Sequence, residues 1–222
     1  MNAPLPLKTL IPDDVGRALE RDPRLLVPVG TCEQHGPHLP LGCDTLIVER
    51  LADDLSAAFQ ILRAPTVEYG VNTEVRNPRP GDAAVRRKTL HRWMNELLGS
   101  WELAGVDAFI ILTAHGYDPH QEALSTLRTR RARILMVDVF ALDFTAHLDD
   151  PVGPFHGSEL DTSLLLHVAP GLVQMRLARD NGMQVPGGTP AQSAALASAA
   201  KGERLYKMIY ERIASQVVDS AA

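Results

Sequence analysis

Only two cysteines, Cys32 and Cys43, occur in the 222 residues, too few to frame a disulfide scaffold. Positive charge is in short supply as well. The 22 Lys and Arg stand against 27 Asp and Glu, a formal net charge of −5. A general nucleic-acid or anionic-membrane binder needs a cationic surplus, so neither partner is expected. No run of about 18 uninterrupted apolar residues is there to span a bilayer. The opening MNAPLPLKTL lacks the charged-then-apolar order of a signal peptide. No Gly-x-Gly-x-x-Gly follows a strand, which removes the usual mark of a nicotinamide-binding domain. These absences leave the expectation of a soluble, cytoplasmic protein.

What is there is an ordinary globular composition, 45% hydrophobic and 22% charged, in a length suited to one α/β domain. Short apolar runs alternate with amphipathic stretches. Arg24 to Val29 reads as a buried strand, with Pro28 suggesting a place near the sheet edge. From Asp44 to Phe59, Ile47, Leu51, Leu55 and Phe59 recur every four positions, the mark of one helix face. A helix over Thr89 to Leu103 leads into the strand Asp107 to Leu112. A further helix is predicted over Glu122 to Arg131, then a strand over Ile134 to Val139. A last helix puts Leu205, Ile209, Ile213 and Val217 on one stripe. Such alternation predicts a mostly parallel sheet with helices on both faces, and ligands beyond the carboxyl ends of its strands. Arg63 to Arg87, with three prolines and two glycines, reads as a long loop over the sheet edge. The Ala/Ser tract Gln192 to Ala200 reads as a small-residue helix or loop.

Histidine is concentrated where ligands are expected. Just past the first strand comes TCEQHGPHLPLGCD, residues 31–44, in which Glu33 and His35 are two apart and share a side in extended backbone. Asp44 stands at the start of the next helix, free to cap it or to turn its carboxylate back into a site. His115 directly follows the strand ending near Thr113, and a third group, His156-Gly157-Ser158-Glu159-Leu160-Asp161, comes later. Three segments each offering imidazole plus carboxylate suit Zn, Mn or Fe(II) in a hydrolytic site. Singly, each has a plain structural reading, and together they point to a metal centre. Cys32 and Cys43 flank this region: a thiolate would suit zinc, although small semi-buried side chains are the simpler reading. The run Arg128 to Arg133 reads as a solvated helix end rather than a phosphate site.

The run PVGTCEQHGPHLPLGCD resembles the signature of the creatininase (creatinine amidohydrolase) family. The resemblance continues through Tyr69-Gly70, Pro80-Gly81, Ala114-His115-Gly116 and HGSELDTSLLL at 156–166. It implies one α/β/α sandwich domain over residues 1–222, two divalent ions per chain (Zn, with Mn or Fe(II) as alternatives) and a homo-oligomer, often hexameric. By resemblance Glu33, Asp44 and His115 would hold one ion, and His35 with a bridging Asp44 the other. Glu159 would supply the remaining carboxylate, which places the chain nearer the deformylase and mycofactocin-peptidase branch than creatininase itself. His156 matches a histidine acting as acid/base near the leaving group. His38 and Asp161 are expected either to orient ligands or to be structural.

The chemistry fits that reading. Paired cations about 3.5–4 Å apart share a water and lower its pKa, while a histidine supplies the proton a departing nitrogen needs. Tyr117, Asp118 and Asp82 depart from the family pattern around the pocket. They mark a changed substrate, with the two acids favouring a cationic or amine-bearing one. The expectation is hydrolysis of a small-molecule amide. A peptide-trimming enzyme and a non-catalytic relative that keeps the fold are the alternatives.

Overall fold

A computed structural model describes residues 2–72, 80–150, 156–180 and 193–219. Its five strands are all parallel: β1 (Leu5–Pro6), β2 (Arg24–Val29), β3 (Leu62–Arg63), β4 (Ala108–Thr113) and β5 (Arg133–Asp138). Their spatial order is β1-β3-β2-β4-β5. The helices are α1 (Pro12–Arg21), α2 (Cys43–Phe59), α3 (Arg87–Leu103), α4 (Asp118–Ser125), α5 (Glu159–Val168), α6 (Met175–Asp180) and α7 (Ala199–Asp219).

Alternation along the strands splits the core in two. Leu26, Ile110, Leu112 and Val137 pack with α2, α5 and α7 on one face. Leu25, Val27, Val29, Phe109 and Ile111 pack with α1, α3 and α4 on the other. The expected α/β/α sandwich is therefore the architecture found. The α7 stripe of Leu205, Ile209, Ile213 and Val217 is buried throughout. α7 also crosses α5 at very close range: a Cβ on Gly202 would lie 1.8 Å from the Ser163 carbonyl oxygen, so only a hydrogen fits there.

Two local expectations need correction. Pro28 does not mark an edge, because β2 runs between β3 and β4. Its carbonyl accepts from Val67 N–H, so its missing donor faces the side where β3 has already ended at Arg63, and no ladder bond is lost. The helix predicted over Glu122 to Arg131 starts earlier and stops at Ser125. Pro119 sets the first turn. Further on, the Glu102 carboxylate gathers the N–H groups of Arg130, Arg131 and Ala132 at 3.1, 2.5 and 2.7 Å, holding the arginine run as a loop. Within the Ala/Ser tract, a short turn at 194–196 precedes the start of α7, while Gln192 lies outside the described residues. No helix among the described residues is long and apolar enough to cross a membrane.

Candidate metal centre

At the carboxyl edge of the sheet, β2 and β4 run side by side, with Val29 paired to Thr113. The segment after each strand therefore enters the same space. Asp44, in the first turn of α2, makes no cap. Its Oδ1 lies 3.0 Å from His35 Nε2 and its Oδ2 lies 3.0 Å from His115 Nδ1. Thr31 donates its hydroxyl to Oδ2 at 2.7 Å. Glu33 Oε2 comes within 3.5 Å of the same His115 nitrogen. Glu33, His35, Asp44 and His115 are all buried, and their ligand-type atoms gather closely enough to hold an ion.

Backbone bonds fix which imidazole nitrogens face inward. His35 Nδ1 donates to the Glu33 carbonyl at 3.0 Å, and His115 Nε2 donates to the Val71 carbonyl at 3.1 Å. Each ring thus turns its other nitrogen to Asp44. Burial disfavours charge on His35, yet Asp44 outweighs it and pushes that imidazole up to about 10. Burial opposes charge on His115 too, and its bond to Asp44 raises it. Burial would also favour a neutral Asp44, but His35 and His115 hold its carboxyl well below the usual range. Among the described residues no lysine or arginine pairs with these carboxylates, and Glu33 Oε2 is buried with no hydrogen-bond partner. A buried carboxylate oxygen left bare is costly. A divalent cation is the partner this donor set suits.

His156 sits over the group, its ring 4.0 Å from that of His35 by centroid. Its Nε2 donates to the Gln34 carbonyl at 2.6 Å, leaving Nδ1 for chemistry. Asp161 is buried and lines the same cavity. Its Oδ2 accepts the Gly157 N–H at 2.7 Å, and burial raises its pKa despite His35 and His156.

Glu159 is not brought to the cluster, which corrects its expected place in the ligand set. It is fully buried elsewhere, paired with Lys201 Nζ. It also accepts the N–H groups of Asp149, at 3.0 Å, and Asp150, at 2.8 Å. Glu159 and Asp161 are two apart in the first turn of α5, so they project to nearly opposite sides and one alone can face the cavity.

The other expected residues divide similarly. Tyr117 and Asp82 line the cavity, but Asp82 is occupied by the Gln34 N–H at 2.8 Å. Asp118 is exposed at the start of α4, where a carboxylate favours the helix N-terminus. The extra acids are thus absorbed structurally, while Arg86 and Lys88 stand on the rim. His38 ties its loop to α5 through Thr162 at 2.9 Å, and burial followed by nearby His35 pushes it down to about 4. Cys43 touches the His35 side of the cluster, its thiol pushed up by burial. Thr31, Lys201 and His120 were not singled out by sequence, since hydroxyl bonds and distant pairs leave no local pattern. His120 is buried beside His115, and burial pushes it down to about 3.

The cavity measures about 1010 Å³. Phe140, Leu142, Phe144 and Leu160 form its apolar wall.

With this geometry in view, residues 9–217 match the family model "Creatininase: Creatinine amidohydrolase". A mycofactocin precursor peptide peptidase of Mycolicibacterium smegmatis is 28% identical over 183 residues, covering 77% of this chain and 70% of the relative. A creatinine amidohydrolase of Pseudomonas putida is 24% identical over 233 residues, covering 87% and 88%. Across curated relatives, the share of their own length that is spanned runs from 59% to 88%. A mutant creatininase of Zn–Zn type and a manganese form of creatininase each superpose with a TM-score of 0.75 at 20% identity, covering 98% of both chains. Those two likenesses concern the fold.

Proposed function

The chain belongs to the creatininase family, and from that membership we propose that it is a metal-dependent amidohydrolase cleaving a non-peptide C–N bond, in a cyclic amide or formamide. The observation that carries this reading is Asp44, which reaches one imidazole with each oxygen at 3.0 Å, so that its carboxylate would serve two ions at once. Glu33, Asp44 and His115 would hold one ion, and His35 with Asp44 the other. Asp161 takes the place first expected of Glu159. Bound there, such ions polarise a carbonyl and lower the pKa of a water.

The remaining work falls to the chain's own groups. His156, steadied by the Gln34 carbonyl, carries a proton on its second nitrogen and releases it to the departing amine. The apolar wall excludes water from the substrate. A second reading, trimming of a short peptide, is favoured by the cavity volume of about 1010 Å³, which is at the upper end of small-molecule sites. A homo-oligomer belongs to either reading and is checked by light scattering.

Elemental analysis after gentle purification tests the metal, with close to two divalent transition ions per chain expected. No metal, and no uptake of Zn, Mn or Fe(II), overturns the reading. A hydrolysis screen across lactams, formamides and short peptides then decides the bond. Creatinine is expected to turn over at under about 0.1 per second, tenfold below the ordinary range of roughly 1–10³. Normal creatinine turnover would show that the changes at Tyr117 and Asp82 leave the substrate unaltered.

A further inference from the structure

We propose that His120 is a positioning residue: without reaching the ligand atoms, it fixes the orientation and tautomer of His115 by holding the backbone of Val71. The inference rests on the metal-binding reading above. His120 is fully buried in the first turn of α4. Its Nδ1 lies 3.1 Å from Val71 N and its Nε2 lies 3.1 Å from Thr113 Oγ1. A backbone N–H can only donate, so Nδ1 is the bare nitrogen and Nε2 carries the hydrogen. Nε2–H therefore donates to the Thr113 hydroxyl, which also accepts the His115 N–H at 3.4 Å.

The other polar atom of Val71 completes the chain of contacts. Its carbonyl accepts His115 Nε2–H at 3.1 Å. That bond leaves Nδ1 of His115 facing Asp44 and Glu33. One residue's N–H and C=O are thus clasped by two histidines five positions apart, whose rings meet edge-on at 4.9 Å and 83°. The seat is close. A Cβ on Gly70 would lie 2.6 Å from His120 Nδ1 and 2.5 Å from Thr31 Cγ2, so the chain before Val71 reaches His120 only because residue 70 has no side chain. A ring kept solely for packing would need neither the acceptor nor the directed donor.

The test compares His120→Phe, which keeps a ring but no acceptor, with His120→Asn, which keeps an acceptor near the Nδ1 position. Zn²⁺ affinity is measured by competition with a chromophoric chelator, and His115 ring nitrogens are followed by NMR in the zinc-loaded protein. Circular dichroism confirms folding. His120→Phe is expected to fold yet bind Zn²⁺ about 10–100-fold more weakly, the usual worth of a group that orients a ligand. Its His115 signals should show mixed tautomers. His120→Asn should recover most of the affinity. If His120→Phe keeps wild-type affinity and a single tautomer, or if His120→Asn loses as much as His120→Phe, the proposal is overturned. Should His120→Phe fail to fold, the isosteric Thr113→Val asks the same question: several-fold weaker binding with mixed tautomers supports the proposal, and unchanged values overturn it. Wild-type protein that binds no Zn²⁺ sinks the metal reading itself, a result distinct from metal binding that ignores His120.

Discussion

Two nests of buried carboxylate lie within one turn of α5, and they are solved in opposite ways. Glu159 is closed: a lysine ammonium and two backbone N–H groups supply its partners from within the chain. The cluster of Glu33, Asp44 and Asp161 is open. Its charge is met by imidazoles, Glu33 Oε2 accepts no hydrogen bond, and a cavity leads up to it. A buried charge pair complete in itself is architecture. A buried acid group left incomplete, with access from outside, awaits something that arrives after folding.

The sharpest way to break this contrast is Asp44→Ala, which removes the carboxylate that reaches His35 with one oxygen and His115 with the other. Metal content should fall close to zero and hydrolysis with it. The thermal shift given by added metal should vanish, a loss of about 2.7–4.1 kcal/mol per site at 100–1,000 times the dissociation constant. Retention of both ions would mean that Asp44 bridges nothing. His156→Ala should keep metal and fold but lose roughly 10²–10⁴ in turnover. If it sheds metal as Asp44→Ala does, His156 is a ligand. A non-catalytic protein would show no effect on turnover from this change at all.

Glu159→Gln probes the closed nest. Breaking a buried pair from one side is expected to cost about 3–5 kcal/mol, read by urea unfolding, while the folded protein keeps its metal. Metal loss comparable to that of Asp44→Ala would return Glu159 to the ligand set. The mildest effect concerns pH and needs metal-free protein. The folded-state value of His35, about 10, is above the ordinary 6.5. Its contribution to stability is therefore full below pH 6.5 and is lost as pH rises through about 10. Melting temperatures of chelator-treated protein should decline over that window, and bound metal should flatten the slope. A flat profile without metal would remove the His35–Asp44 pair from the account.

Much of this arrangement was legible in sequence because it is local. The apolar runs that became β2, β4 and β5 are long enough to show themselves, and Glu33, His35 and Asp44 fall within twelve residues of chain. β1 and β3, two residues each, carry no period to read. The early stop of α4 depends on Glu102 reaching across to another segment. The choice between Glu159 and Asp161 could not be made from spacing, because either could face inward. Lys201, 42 residues beyond Glu159, decides it by claiming one of the two. His120 escaped for the same reason: its partner Val71 is 49 residues away.

The close crossing at Gly202 has a consequence for how much of the chain the site requires. Lys201 and Gly202 are neighbours, one neutralising Glu159 and the other letting α7 press against Ser163 on the same helix that presents Asp161. The setting of Asp161 beside the segment 33–44 therefore includes residues beyond 200. No fragment ending short of them carries the whole of it, and a transplant of the ligand loops alone would arrive without its keystone. During synthesis residues 33–44 emerge long before α7, so their setting stays incomplete until α7 has followed.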